Sequence, residues 1–206
     1  MPVSGLVRVG GLAAVGSGIL VVFGELLYFV IGLEEAWVAS AETAASALAI
    51  FQGAVFLTSV VLLLGGLITL YVVQSDSAST LGKAGFVVAF IGTALVVGST
   101  WSFTFDLPAL AQQAPEVYDT PPPLLSRFGV AASFAVFSIG WVLFGISILR
   151  NRTYPRVAAI LLIVGAVLAF LPFPFTVIVF GVAVAWMGLS LLSRQTMVAE
   201  QSSRVR

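Results

Sequence analysis

The chain has 206 residues, 60% of them hydrophobic and only 9% charged, with nine acidic residues balancing nine basic ones and no His or Cys. Soluble domains run at roughly 45–50% apolar and about 25% charged, so a water-soluble globule is excluded and a polytopic membrane protein fits. Histidine-ligated haem, zinc sites, thiol nucleophiles, Ser-His-Asp triads and disulfides are excluded together, leaving carboxylate, hydroxyl, amide and arginine chemistry.

A bilayer core of about 30 Å takes roughly 20 apolar residues per helix. The first such run covers residues 9–33, interrupted only by Glu25; the second covers 44–73 and contains Gln52; the third covers 84–105. A drawing of the first run as a secretory signal with cleavage near Ala39-Ser40-Ala41 is disfavoured, because the run exceeds the roughly 7–15 residues of a signal core. A polar, proline-rich loop follows at 106–126. Leu107, Leu110, Val117 and Tyr118 predict a short interfacial helix there, before Pro121, Pro122 and Pro123 stiffen the approach to the fourth run, 128–149. Residues 157–192 carry no charge and are too many for one helix. Pro172 and Pro174 divide them into spans 157–172 and 174–192 around a tight turn.

The expected fold is therefore all-α: one transmembrane domain, a bundle of six helices. With the N-terminus inside, the inner face carries Arg8, Lys83, Arg150, Arg152, Arg156, Arg194, Arg204 and Arg206 against Asp76 and Glu200. The outer face carries Glu34, Glu35, Glu42, Asp106, Glu116 and Asp119 against Arg127 alone. This asymmetry predicts cytoplasmic N- and C-termini. Attraction of the basic face to anionic lipid explains its charge without a nucleic acid partner.

The odd-numbered spans open alike, at Arg8-Val9-Gly10, Lys83-Ala84-Gly85 and Arg156-Val157-Ala158, and the even-numbered spans end loosely alike, at Gly66 to Thr69, Gly145 to Ser147 and Gly188 to Ser190. The pattern suggests three copies of one helical hairpin. Small residues four apart predict close helix packing: Gly10, Ala14 and Gly18, then Gly85 with Ala89, Ala94 with Gly98, Gly165 with Ala169, and Gly181 with Ala185. Bundle packing or a homo-oligomer interface both use such faces. Trp37 and Trp101 are placed as boundary anchors, Trp141 and Trp186 as core. The hydroxyls of Thr58, Ser59, Thr93, Ser99, Thr100, Ser133 and Ser138 are expected to bond within their own helices.

Glu25 is the most informative position, since a carboxylate near the bilayer core costs about 2.5–3.5 kcal/mol on insertion scales unless it is neutral, paired or hydrated. Hairpin geometry sets Gln52 at the same depth, so the two are expected to bond to one another. They serve either as a packing pair that fixes register or as a proton or cation site with Tyr28 one turn outward; lipid or small-ligand recognition is a third use. Arg127 is expected to pair with Asp106, Glu116 or Asp119 and close the long loop over the bundle. No catalytic, metal-ligating or cofactor-binding pattern is present.

The segment Leu6-Val7-Arg8-Val9-Gly10-Gly11-Leu12-Ala13-Ala14, with Tyr154-Pro155-Arg156-Val157-Ala158-Ala159 and the apolar run that follows, resembles the uncharacterised six-helix integral membrane proteins of bacterial genomes. That resemblance implies a prokaryotic plasma-membrane setting and brings no catalytic residues. The functional expectation is a non-enzymatic accessory, assembly or interaction subunit, whose partners are the lipid bilayer and a membrane protein or a second copy. The alternative is a transporter or channel for a proton, cation or small amphiphile centred on Glu25 and Gln52. An enzyme working through Glu25, Asp106 and Asp119 is the third reading, and their different depths count against it.

Overall fold

The computed structural model describes the backbone of residues 3–31, 40–77, 79–171 and 175–204, and the side chains of these except 3, 4 and 194–204. Glu34, Glu35, Trp37, Pro172, Pro174 and Arg206, and the side chains of Arg194 and Arg204, lie outside the described residues.

The described chain is helical, without a strand: α1 (Val3–Val30), α2 (Ala41–Ala44), α3 (Ala47–Gln74), α4 (Thr80–Trp101), a π turn (Ser102–Asp106), α5 (Leu107–Gln113), α6 (Pro115–Tyr118), α7 (Leu124–Asn151), α8 (Arg156–Leu168) and α9 (Thr176–Arg204). Local chemistry sets several boundaries. The Ser46 and Ser79 hydroxyls accept from the backbone N–H groups of Ala49 and Gly82, capping α3 and α4. Arg152 ends α7 in the left-handed region at φ 54°, and Pro155 opens α8.

Five helices are long and apolar enough to cross a membrane: Gly5–Val30, Ala47–Ser77, Thr80–Gln113, Leu124–Asn151 and Thr176–Ser193. Helix α8 is apolar but has 13 residues, about 20 Å at 1.5 Å per residue, short of a bilayer core of about 30 Å. The expected span 157–172 is thus helical only to Leu168. The third span runs on past its expected end at residue 105. Leu107 N donates to the Ser102 carbonyl five residues back, and Pro108, which has no N–H to offer Thr104, follows directly. One widened turn thereby absorbs the proline and carries the helix on to Gln113.

Each long element packs against the next, α1 on α3, α3 on α4, α4 on α7, α7 on α8, α8 on α9, and α9 returns to α1, closing a ring. Gly10 meets Thr69 and Gly11 meets Leu192, so α1 begins where α3 and α9 end. The same end carries the exposed Arg8, Lys83, Arg150, Arg152 and Arg156 and is the basic end; the other holds α2, α5 and α6 and is the acidic end.

The packing is that of helices in lipid. Large apolar side chains such as Val9, Ile19, Phe23, Leu26, Val87, Ile139 and Leu189 point outward, while Ser17, Ser59, Thr69, Thr93 and Ser147 are buried. Lipid removes the drive to bury large apolar groups, so small and hydroxyl-bearing residues take the helix contacts. A Cβ at Gly85 would lie 2.6 Å from the Phe144 nitrogen, and one at Gly18 would strike the Gly181 carbonyl. Gly10 with Ala14 faces α3, Gly18 faces α9, and Gly165 faces Phe180. Ala94 and Gly98 depart from expectation: both are exposed, and nothing lies within 4 Å of a Cβ at Gly98.

The centre of the ring is filled. Trp141 is fully buried, edge-on to Phe144 and Phe180, with Phe137 against both Trp141 and Phe180. Its indole N–H donates to Thr93 Oγ1 at 3.0 Å, and that hydroxyl donates to the Ala89 carbonyl. Trp186 is not core as expected; it is 41% exposed on the outward face of α9.

Candidate functional site

Glu25 lies on α1 near the acidic end, opposite the start of α9. Its Oε2 accepts from the backbone N–H of Phe175 at 2.8 Å. Phe175 precedes α9 with φ 65°, a region a non-glycine residue seldom adopts, and its ring tilts against Phe29 at 6.0 Å. The first N–H groups of a helix have no partner within it and carry the positive end of its dipole, so a carboxylate there is favoured twice. Glu25 thus caps the start of α9 from a different helix.

Gln52 is at the expected level but with a different partner. Its Nε2 donates to the Gly24 carbonyl at 3.4 Å, so α3 and α1 are in the anticipated register while the expected Glu25–Gln52 bond is replaced by two separate bonds to backbone. Tyr28, one turn beyond Glu25, is half-buried. Glu25 and Gln52 thus stand at one level, and each bonds to main chain rather than to the other.

The outer-loop charges part company. Asp119 Oδ1 accepts from Ala41 N at 3.0 Å, capping α2 across 78 residues of sequence. Ala41, Ala44 and Ala111 form a small buried cluster with Tyr118 packed on it. Burial, with the neighbouring Asp119 carboxylate adding to it, raises the Tyr118 phenol above its ordinary pKa. The loop is therefore docked by a cap and by packing. Arg127 does not close it as expected: Asp106, Glu116 and Arg127 are all exposed, and among the described residues none pairs with Arg127.

Thr58, Ser59, Thr93, Ser99 and Ser133 donate to carbonyls three or four residues back in their own helices, as expected. Ser138 differs, since its buried Oγ has no hydrogen-bond partner among the described residues.

A second polar group sits at the basic end, unforeseen from the sequence. Gln74 is 1% exposed, and neither its Oε1 nor its Nε2 meets a partner among the described residues. The buried Ser147 Oγ and Asn151 Nδ2, one turn apart on α7, share that condition, while Tyr154 reaches across to donate to the Leu70 carbonyl at 3.1 Å. Gln74 lies one residue beyond the expected second span, 44–73. The signal that finds it is spacing, because Leu63, Leu67, Leu70 and Gln74 recur at four, three and four residues and are all buried.

Among the described residues no three carboxylates stand close enough to share a metal ion. No protein-family model, curated protein or solved structure matches this chain.

Proposed function

We propose that this chain is a six-crossing integral membrane protein of a prokaryotic plasma membrane, with both termini cytoplasmic, acting as a non-enzymatic accessory, assembly or interaction subunit. The six-crossing reading counts α8 as a short sixth span and is supported by the basic residues gathered at one end of the bundle and the carboxylates at the other. A threefold hairpin repeat is supported by the pairings α1 with α3, α4 with α7, and α8 with α9.

The observation that carries the functional reading is the filled centre. Phe137, Trp141, Phe144 and Phe180 occupy the middle of the ring, and the buried indole N–H is satisfied by Thr93. Rings locked in this way give a rigid body that works through its lateral surface and its two ends. Gentle extraction followed by native mass spectrometry tests this: the chain is expected with a stoichiometric protein partner, and recovery of the monomer alone under conditions that keep other membrane complexes whole overturns it.

The second reading, a proton or cation transporter, is favoured by Glu25, a half-buried carboxylate within a span. Flux through liposomes that is lost in Glu25→Gln while the melting temperature is kept would establish it. Unchanged flux removes that residue from any transport role.

A further inference from the structure

A groove runs along α7 beside the end of α8. It is open, about 330 Å³ in volume, and runs from Ala135 to Leu143 of α7 with Val167 and Phe170 on its far side. α8 stops at Leu168 while α7 continues toward the acidic end, and the groove lies where the two part. Leu124, Leu125 and Phe128 are 80%, 82% and 69% exposed, so the first turns of α7 stand clear of the bundle.

Leu124, Phe128, Ala131, Ala135, Ser138 and Val142 follow one another at four- and three-residue steps, so the groove continues as one apolar stripe up the projecting helix. Arg127 lies eleven residues before Ser138, close to three turns, and so stands above the groove about 16 Å along the axis. Side chains on a helix lean toward its N-terminus, which here is the acidic end, so the guanidinium reaches for the membrane surface.

We propose that this stripe binds one anionic glycerophospholipid from the leaflet at the acidic end, its phosphate on Arg127 and one acyl chain in the groove. Three features select that occupant. The groove spans Ala135 to Leu143, about 12 Å of helix, so its mean cross-section is on the order of 30 Å². That matches a single hydrocarbon chain, whereas a partner helix about 10–12 Å across would lie over the groove without filling it. The wall is apolar throughout, since Ser138, the one polar residue that lines it, is 7% exposed and keeps its Oγ buried. The guanidinium at its head meets no carboxylate among the described residues, and Asp119 of the nearby loop is engaged by Ala41 N–H; a lipid phosphate brings the complementary charge to that depth.

This inference rests on the membrane reading, whose own failure would appear first, as a chain recovered from the soluble fraction without detergent. The protein is reconstituted in vesicles of equal phosphatidylglycerol and phosphatidylcholine, released, and weighed by native mass spectrometry. One phosphatidylglycerol per chain is expected, enriched about fivefold over phosphatidylcholine, the effect of a single interfacial arginine. Arg127→Gln is expected to keep the lipid and lose the enrichment; Ala135→Trp is expected to lose the lipid while melting within a few degrees of the wild type. Equal retention of the two lipids, enrichment that survives Arg127→Gln, or a lipid-free dimer that Ala135→Trp dissociates would overturn the proposal.

Discussion

The seam between α4 and α7 is two different contacts along one pair of helices. Toward the basic end, Gly85, Gly92 and Gly140 bring the backbones together, so that a Cβ at any of them would strike the opposite main chain. Toward the acidic end, Gly98 and Gly129 have nothing within 4 Å, and the last link is a 3.4 Å bond between the hydroxyls of Ser99 and Ser133. Beyond it the π turn swings α4 toward α3, where a Cβ at Gly53 would lie 2.9 Å from Thr104 Oγ1. The same residue type thus does opposite work in the two halves. At Gly85, Gly92 and Gly140 it is a condition of contact, whereas at Gly98, on the outward face beside exposed Ala94, and at Gly129, near the open start of α7, it meets nothing and only weakens the helix. Glycine spacing signals the possibility of close approach; the path of the partner helix settles whether it is used.

That contrast can be broken most forcefully at Gly92. Gly92→Val puts a branched side chain into the Phe137 backbone and is expected to cost about 3 kcal/mol, read as a lower melting temperature in detergent and a smaller monodisperse fraction. A melting temperature equal to that of the wild type would mean the seam is not closed there. Trp141→Phe should cost about 1–2 kcal/mol by removing the N–H that Thr93 accepts, and Thr93→Val in the same background should add little; two fully additive losses would show that the bond does not couple them.

Gly98→Ala is expected to move stability the other way, by about 0.5–1 kcal/mol, because alanine favours the helix and meets nothing. A destabilised Gly98→Ala protein would show that the outward face of α4 is covered after all. The smallest effect concerns the crown. Tyr118 is held neutral more firmly when docked than when free, so docking is intact below the ordinary phenol value of about 10 and weakens as pH rises through the raised one. Limited proteolysis of the 106–126 loop should therefore accelerate only in strongly alkaline buffer, and Tyr118→Phe should abolish that acceleration.

Glu25 and Gln52 show how far depth arithmetic carries. Counting residues from the turn sets the two at one level, and the register of α1 against α3 obeys it. Counting cannot see α9, which arrives from 150 residues away to present Phe175 N–H to the carboxylate. Arg127 shows the converse, since its charge invites pairing with the loop acids whereas Asp119 is taken by a backbone donor at the start of α2. In both cases an unpaired main-chain N–H competes with a side chain, and short-range sequence patterns do not display such donors.

By itself the sequence determined the all-helical class, five of the six expected spans as long apolar helices, the segregation of charge between the two ends and the exclusion of histidine and cysteine chemistry. Composition and run length fix these because a chain in hydrocarbon must satisfy its backbone within each helix. Only the tertiary structure decided that α8 stops short, that α9 closes the ring on α1, that Trp141 fills the centre, and that α7 projects with a groove at its side. Those outcomes depend on which faces meet, and in a helix apolar on every side periodicity does not mark a face; backbone approach at a few glycines and the partners of a few polar groups select it.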